Sequence, residues 1–124
     1  MTVPTAAAAT LQTVTDDTFD ELVLRAELPV LLEFTADWCP PCRMVLPVLR
    51  ELAAELAGRV VVAQLDVDAN PRTAQAAGVL GMPTIALYRQ GRVLAQVTGA
   101  RPKAALLRAF EGHLPLVDNS PRSA

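Results

Sequence analysis

Apolar residues recur along this chain with two periods, and the switches between them lay out the elements. Phe19, Leu22, Val23 and Ala26 fall at i, i+3, i+4 and i+7, the stripe of a helix, with Asp17, Asp20 and Glu21 left toward water near its positive end and Thr15 or Asp16 placed to cap it. Val45, Val48, Leu49, Leu52 and Leu56 draw a longer stripe that stops at Gly58, interrupted by Pro47, whose ring removes the bond to the Arg43 carbonyl. Leu106, Leu107, Phe110 and Leu114 give a third stripe in a helix predicted over Lys103 to Leu114. Other stretches are too short and too evenly apolar for helices: Val30 to Phe34 and Val60 to Val67 read as strands buried on both faces. Thr84 to Tyr88 and Arg92 to Thr98 read as strands joined by a hairpin at Gln90-Gly91, and Leu11 to Val14 as a short first strand. Asp68 to Pro71 is a turn into a short helix ending near Gly78. The order β-α-β-α-β-α-β-β-α predicts an α/β domain, a mixed central sheet of about five strands flanked by four helices.

Composition narrows the class without changing that picture. An apolar share of 52% over 124 residues, with a formal net charge of −2, describes one globular domain with a real core. It offers no basic footprint for nucleic acid and no polybasic patch for a membrane surface. Met1 to Thr10 is rich in Ala and Thr but lacks the positive flank and continuous apolar core of a signal peptide, and no span is apolar for long enough to cross a bilayer. The cytoplasm is therefore the expected location. The domain is expected over residues 11–115, between a flexible extension at 1–10 and a flexible tail at 116–124.

The chemistry concentrates in Trp38-Cys39-Pro40-Pro41-Cys42, which holds both cysteines of the chain. If Cys39 opens the second helix, the two thiols share one face within disulfide reach, and the pair can make and break a bond with little backbone movement. Dithiol/disulfide exchange is the reading this favours. A structural disulfide is an alternative, but closing a loop of about four residues constrains the unfolded chain by only about 2 kcal/mol. A zinc site is another, yet it wants four ligands, and beyond this pair the chain adds only His113, on a different predicted helix. Two unrelated buried thiols are the third. In a reducing compartment, cysteines that pair are more often catalytic than structural. Glu33, inside the apolar run Leu31 to Phe34, is the candidate acid that exchanges a proton with one of the thiols, because burial would raise its pKa.

From about Leu11 to Leu114 the sequence resembles a thioredoxin. The resemblance is carried by Leu32-Glu33-Phe34, Ala36-Asp37-Trp38-Cys39-Pro40-Pro41-Cys42-Arg43, Pro47, Asp66-Val67-Asp68-Ala69-Asn70-Pro71, Gly81-Met82-Pro83-Thr84, Gly91 and Gly99-Ala100. It implies a thioredoxin fold and a protein-disulfide reductase that acts on disulfide-containing target proteins and is recharged by an NADPH-dependent thioredoxin reductase. It implies no bound cofactor and no metal, and a monomer is expected. Cys39 matches the exposed nucleophile of the family, Cys42 its buried resolving thiol, and Pro83 its cis-proline. Trp38 would cover one side of the disulfide, and Trp38, Pro41, Met82, Pro83, Thr98 and Gly99 would form the groove that receives the target's extended backbone. Four positions depart from the pattern: Glu33 where the family has Asp, Gln64 where many members have Lys, Thr35 in place of a common Trp, and Pro40 in place of the usual Gly. A thiol oxidase or isomerase of less reducing potential, and a non-catalytic adaptor on the same scaffold, are the competing functions.

Overall fold

A computed structural model describes residues 10–114, so the expected flexible ends lie outside the described residues, apart from Thr10. Five strands form one sheet: β1 (Gln12–Thr13), β2 (Val30–Thr35), β3 (Val61–Asp66), β4 (Thr84–Arg89) and β5 (Arg92–Thr98). Their order across the sheet is β1-β3-β2-β4-β5. β2 lies parallel to β3 and antiparallel to β4, so the most apolar strand of the sequence occupies the centre. Three α-helices, α1 (Pro40–Glu55), α2 (Pro71–Ala76) and α3 (Lys103–Phe110), and one π-helical segment, Asp20–Leu24, complete the domain.

Because alternate residues of a strand point to opposite faces, β2 divides the core in two. Leu31 packs with Val62, Ile85 and Leu87 beneath α1 and α3, against Val45, Leu49, Leu52, Leu106 and Phe110. Val30, Leu32 and Phe34 pack on the other face with Val23, Ala63, Leu65, Ala86 and Tyr88. The α1 stripe read from the sequence is thus the buried face of that helix, and Pro47 lies inside it on an exposed position. Lys103 ties the start of α3 to α1 through ion pairs with Glu51, 3.3 Å away, and with Glu55.

Two helices differ from their sequence reading. The first helix is π-helical at its centre: the Arg25 amide donates to the Asp20 carbonyl at 2.9 Å, and the Arg25 guanidinium meets the Asp20 carboxylate across the same interval at 2.8 Å. Thr15 caps its entry by accepting from the Thr18 amide, whereas Asp16 caps a different helix. The Asp16 carboxylate accepts from the amides of Thr73 and Arg72 at the start of α2, and its own amide donates to Asn70. Burial pushes the Asp16 carboxyl up, but the hydrogen bonds from Thr73 and Arg72 and the Arg72 charge outweigh it and hold its pKa below the usual value. The last helix ends at Phe110 rather than Leu114, turning through Gly112 at φ 91°. The β4–β5 hairpin is as predicted, with Gln90 and Gly91 both at positive φ, the pair of left-handed residues a two-residue turn needs.

Candidate functional site

The site is built at the end of β2, where the chain leaves the sheet and enters α1. Pro40 and Pro41 fill the first two helical positions, where a missing N–H costs nothing and a fixed φ favours the helix. That makes Cys39 the N-cap. Its sulfur accepts a hydrogen bond from the Cys42 amide at 3.2 Å, the role usually taken by a Ser or Asp oxygen. One turn of helix brings the two Cα atoms to 5.3 Å, inside the range a disulfide spans, and the sulfurs are bonded to each other. The double proline has a second consequence. Of the amides in the first turn, only those of Cys42 and Arg43 remain, so the field of the helix terminus reaches Cys39 Sγ through a single N–H.

The surroundings of the pair are apolar. Ala36, Cys39 and Cys42 form a small buried cluster, and Val67 and Met82 pack against it. In this closed form the exposure expected for Cys39 is not observed: it is 3% exposed against 0% for Cys42. Capping turns its sulfur inward, toward the Cys42 amide, and the Val67 and Met82 side chains close over it. Trp38 stands at the rim, 64% exposed, with its indole N–H donating to Asp68 Oδ2 at 2.6 Å. Asp68 is itself held by the turn after β3, where its amide donates to Asp66 Oδ1.

Strand pairing assembles the other side of the groove. Thr84 pairs with Thr98 at the end of the β4–β5 ladder, and the Gly99 amide donates to the Pro83 carbonyl at 2.8 Å. Gly81 is packed so closely that a Cβ there would lie 2.8 Å from the Thr98 methyl, which explains a glycine at that point. The Met82–Pro83 peptide bond is cis, as the family resemblance implied. Met82, Pro83, Thr98 and Gly99 are therefore neighbours, and Met82 joins them to the disulfide. Pro41 is exposed beside Cys42 on the first turn of α1.

Glu33 is the one fully buried charged residue among those described, at 0% exposure, and neither carboxyl oxygen has a hydrogen-bond partner there. By alternation with Leu31 and Leu32 it points to the α1 side of the sheet, the side that also carries Cys42. Gln64 is its register partner on β3 and Ile85 its partner on β4. Loss of hydration pushes its pKa from 4.5 up to about 8, with no charge nearby to oppose the shift. An acid in that range can both hold and release a proton near neutrality.

The sequence reading missed Ala36, Val67 and Asp68 as parts of the site. Asp68 follows directly from the strand that ends beside the disulfide, yet nothing local marks it as the partner of an indole 30 positions earlier.

Comparison with known proteins agrees with this geometry. The family model described as Thioredoxin matches residues 10–111. A thioredoxin of Streptomyces clavuligerus is 48% identical over 101 residues, covering 82% of this chain and 94% of that protein. One from Mycobacterium bovis is 47% identical over 102 residues, with 82% and 88% covered, and one from Mycolicibacterium smegmatis 50% identical over 103 residues, with 82% and 92% covered.

Proposed function

The chain belongs to the thioredoxin family, as a dithiol/disulfide oxidoreductase that reduces protein disulfides, and from that premise we propose that Cys39 is its attacking sulfur and Cys42 its resolving sulfur. The observation that carries this assignment is the hydrogen bond from the Cys42 amide to Cys39 Sγ at the start of α1. A thiolate at that N-cap keeps the amide as a donor, and the bond strengthens when the acceptor becomes charged. Cys42 has no such position; it is wholly buried behind the first turn.

The reaction then runs in two displacements. The Cys39 thiolate attacks one sulfur of the target's disulfide; the target's S–S bond breaks, its other sulfur leaves as a thiolate and takes up a proton, and a mixed disulfide joins Cys39 to the target. Cys42 next loses its proton and attacks Cys39 Sγ. The mixed disulfide breaks, the second target sulfur leaves and is protonated, and the Cys39–Cys42 bond forms, so that two electrons have passed to the target. Glu33 is the acceptor of the Cys42 proton, on the strength of its burial on the same side of the sheet and its raised pKa. Met82, two residues ahead of β4, lends its backbone to an extended target segment as an added strand, while Trp38, Pro41, Pro83, Thr98 and Gly99 line the groove.

An NADPH-dependent thioredoxin reductase returns the disulfide to the dithiol, and the protein works as a monomer in the cytoplasm. No helix among the described residues is long and apolar enough to cross a membrane. NADPH consumption with a purified reductase, sedimentation of the free protein and cell fractionation test these three statements. For the assignment of the sulfurs, Cys42→Ser is expected to accumulate mixed disulfides through Cys39, visible as complexes that dissolve on adding dithiothreitol. Accumulation through Ser-substituted Cys39 instead, with Cys42 as the linking sulfur, would reverse the roles.

A further inference from the structure

On the face of the sheet away from α1, a cavity of about 270 Å³ is walled by Phe19 and Leu24 at the two ends of the π-helical segment, by Thr73, Ala76 and Ala77 at α2, and by Tyr88 and Val93 of the β4–β5 hairpin. It is remote from the disulfide. Tyr88 pairs with Val30, the first residue of β2, whereas the cysteines follow the last, so roughly 16 Å of strand separates the two places. Two local irregularities shape the walls. The π turn widens the helix at Asp20–Leu24, and the β4–β5 register shifts between Leu87 and Tyr88, where Tyr88 comes to pair with Val93.

Tyr88 decides what the cavity accepts. It is 4% exposed, and burial alone pushes its pKa up, with no hydrogen bond from a described residue to offset it. Its O–H therefore stays protonated near neutrality and lacks an acceptor. Among the described residues only the Glu33 oxygens are both sealed from solvent and unpartnered, so the Tyr88 hydroxyl keeps access to the space it lines. Thr73 is already held by the Asp16 carboxylate, which accepts from its amide and its side chain. No wall residue is charged, so a buried charge would go unbalanced. Phe19 meets the Tyr88 ring edge-on, with centroids 5.7 Å apart, and such aromatic walls favour a flat ring. An apolar cavity of about 150 Å³ holds benzene, so the larger volume here suits two fused rings. We propose that this cavity is a second binding site, for a neutral fused-ring compound whose carbonyl oxygen accepts a hydrogen bond from the Tyr88 hydroxyl.

1-Indanone and indane, alike except for the carbonyl, supply the test, read by amide shifts of the isotope-labelled protein. 1-Indanone is expected to bind with a Kd below about 1 mM, as a ligand of that size can. The amides of Leu24, Ala76, Ala77 and Val93 should move, while those of Trp38, Cys39 and Cys42 stay. Indane should bind about fivefold more weakly, the worth of one neutral hydrogen bond. Tyr88→Phe is expected to abolish that preference and leave the affinity for indane. Ala76→Phe, made at an exposed position of α2, fills the mouth and should weaken both probes about tenfold or more. Both variants should reduce protein disulfides at the unaltered rate, a readout that misfolding would move. Absence of shifts with either probe, equal binding of the two by the unaltered protein, or shifts centred on the disulfide would overturn the site. So would a preference that survives Tyr88→Phe, or probe binding that ignores Ala76→Phe.

Discussion

The two faces of β2 are buried alike and are built for different ends. Toward the π-helical segment and α2, the strand contributes Val30, Leu32 and Phe34 to a cluster with no ionisable side chain except the Tyr88 phenol. Toward α1 it contributes Leu31 and then Glu33, whose carboxyl is fully buried and without a partner among the described residues. The same strand thus supplies stability on one face and a desolvated acid on the other, one residue apart in sequence. The difference teaches where the fold gives up stability: among the described residues, the unpartnered buried carboxyl stands on the side and at the end where the cysteines stand.

The comparison breaks most readily at Phe34. Truncation to alanine on the purely apolar face is expected to cost about 3–5 kcal/mol, read as a lower denaturant midpoint at unchanged slope. An equally large loss from Glu33→Leu would show that the two faces do not differ. The opposite sign is expected there. An unfolded Glu33 ionises near 4.5, while the folded one holds its proton until about pH 8. Across that window the unfolded state carries fewer protons, so stability falls as pH rises, by about 1.4 kcal/mol per unit. Removing the carboxyl should therefore stabilise the protein by about 3 kcal/mol at pH 7, with little effect below pH 4.5 and a gain that levels off above pH 8. The same variant should flatten the rise in target reduction between pH 7 and 8 while leaving the first attack by Cys39 intact. A stabilised protein with an unaltered pH profile would separate burial from proton transfer and remove Glu33 from the mechanism.

Much of this contrast was legible before the fold. An apolar run interrupted by one carboxylate already implied a strand buried on both faces and a desolvated acid, and the spacing of the cysteines implied a bond at a helix start. Features that depend on distant pairing were not legible. Trp38 finds Asp68 only because β2 and β3 run parallel and end together, and Asp16 caps α2 only because the chain after β1 lies beside that helix. Likewise, Gly81 and Thr98 look unrelated until the β4–β5 register brings them into contact. The buried setting of Cys39 is of the same kind, since Val67 and Met82 reach it from two other segments. Local sequence fixes periodicity; which loops meet at a sheet end is decided by strand order.

A smaller effect sharpens the contrast on the α1 side, where both Glu33 and the helix terminus could tune the sulfurs. Pro41 occupies the second helical position, one of the two whose amides an N-cap side chain ordinarily accepts from, and it has no N–H to give. Pro41→Ala restores that donor. A second N–H aimed at Cys39 Sγ stabilises the thiolate more than the disulfide sulfur, because hydrogen bonds to a charged acceptor are the stronger. The Cys39 pKa should fall, and the potential of the couple should rise by up to about 30 mV, the equivalent of about 1.4 kcal/mol for two electrons. Equilibration with a glutathione buffer reads the potential, and thiolate absorbance against pH reads the pKa. If both move in Pro41→Ala and neither moves in Glu33→Leu, the helix terminus sets the sulfur chemistry and the buried acid serves proton transfer alone. If the potential follows Glu33 instead, the polar residue on the α1 face of β2 governs the redox poise as well as the stability.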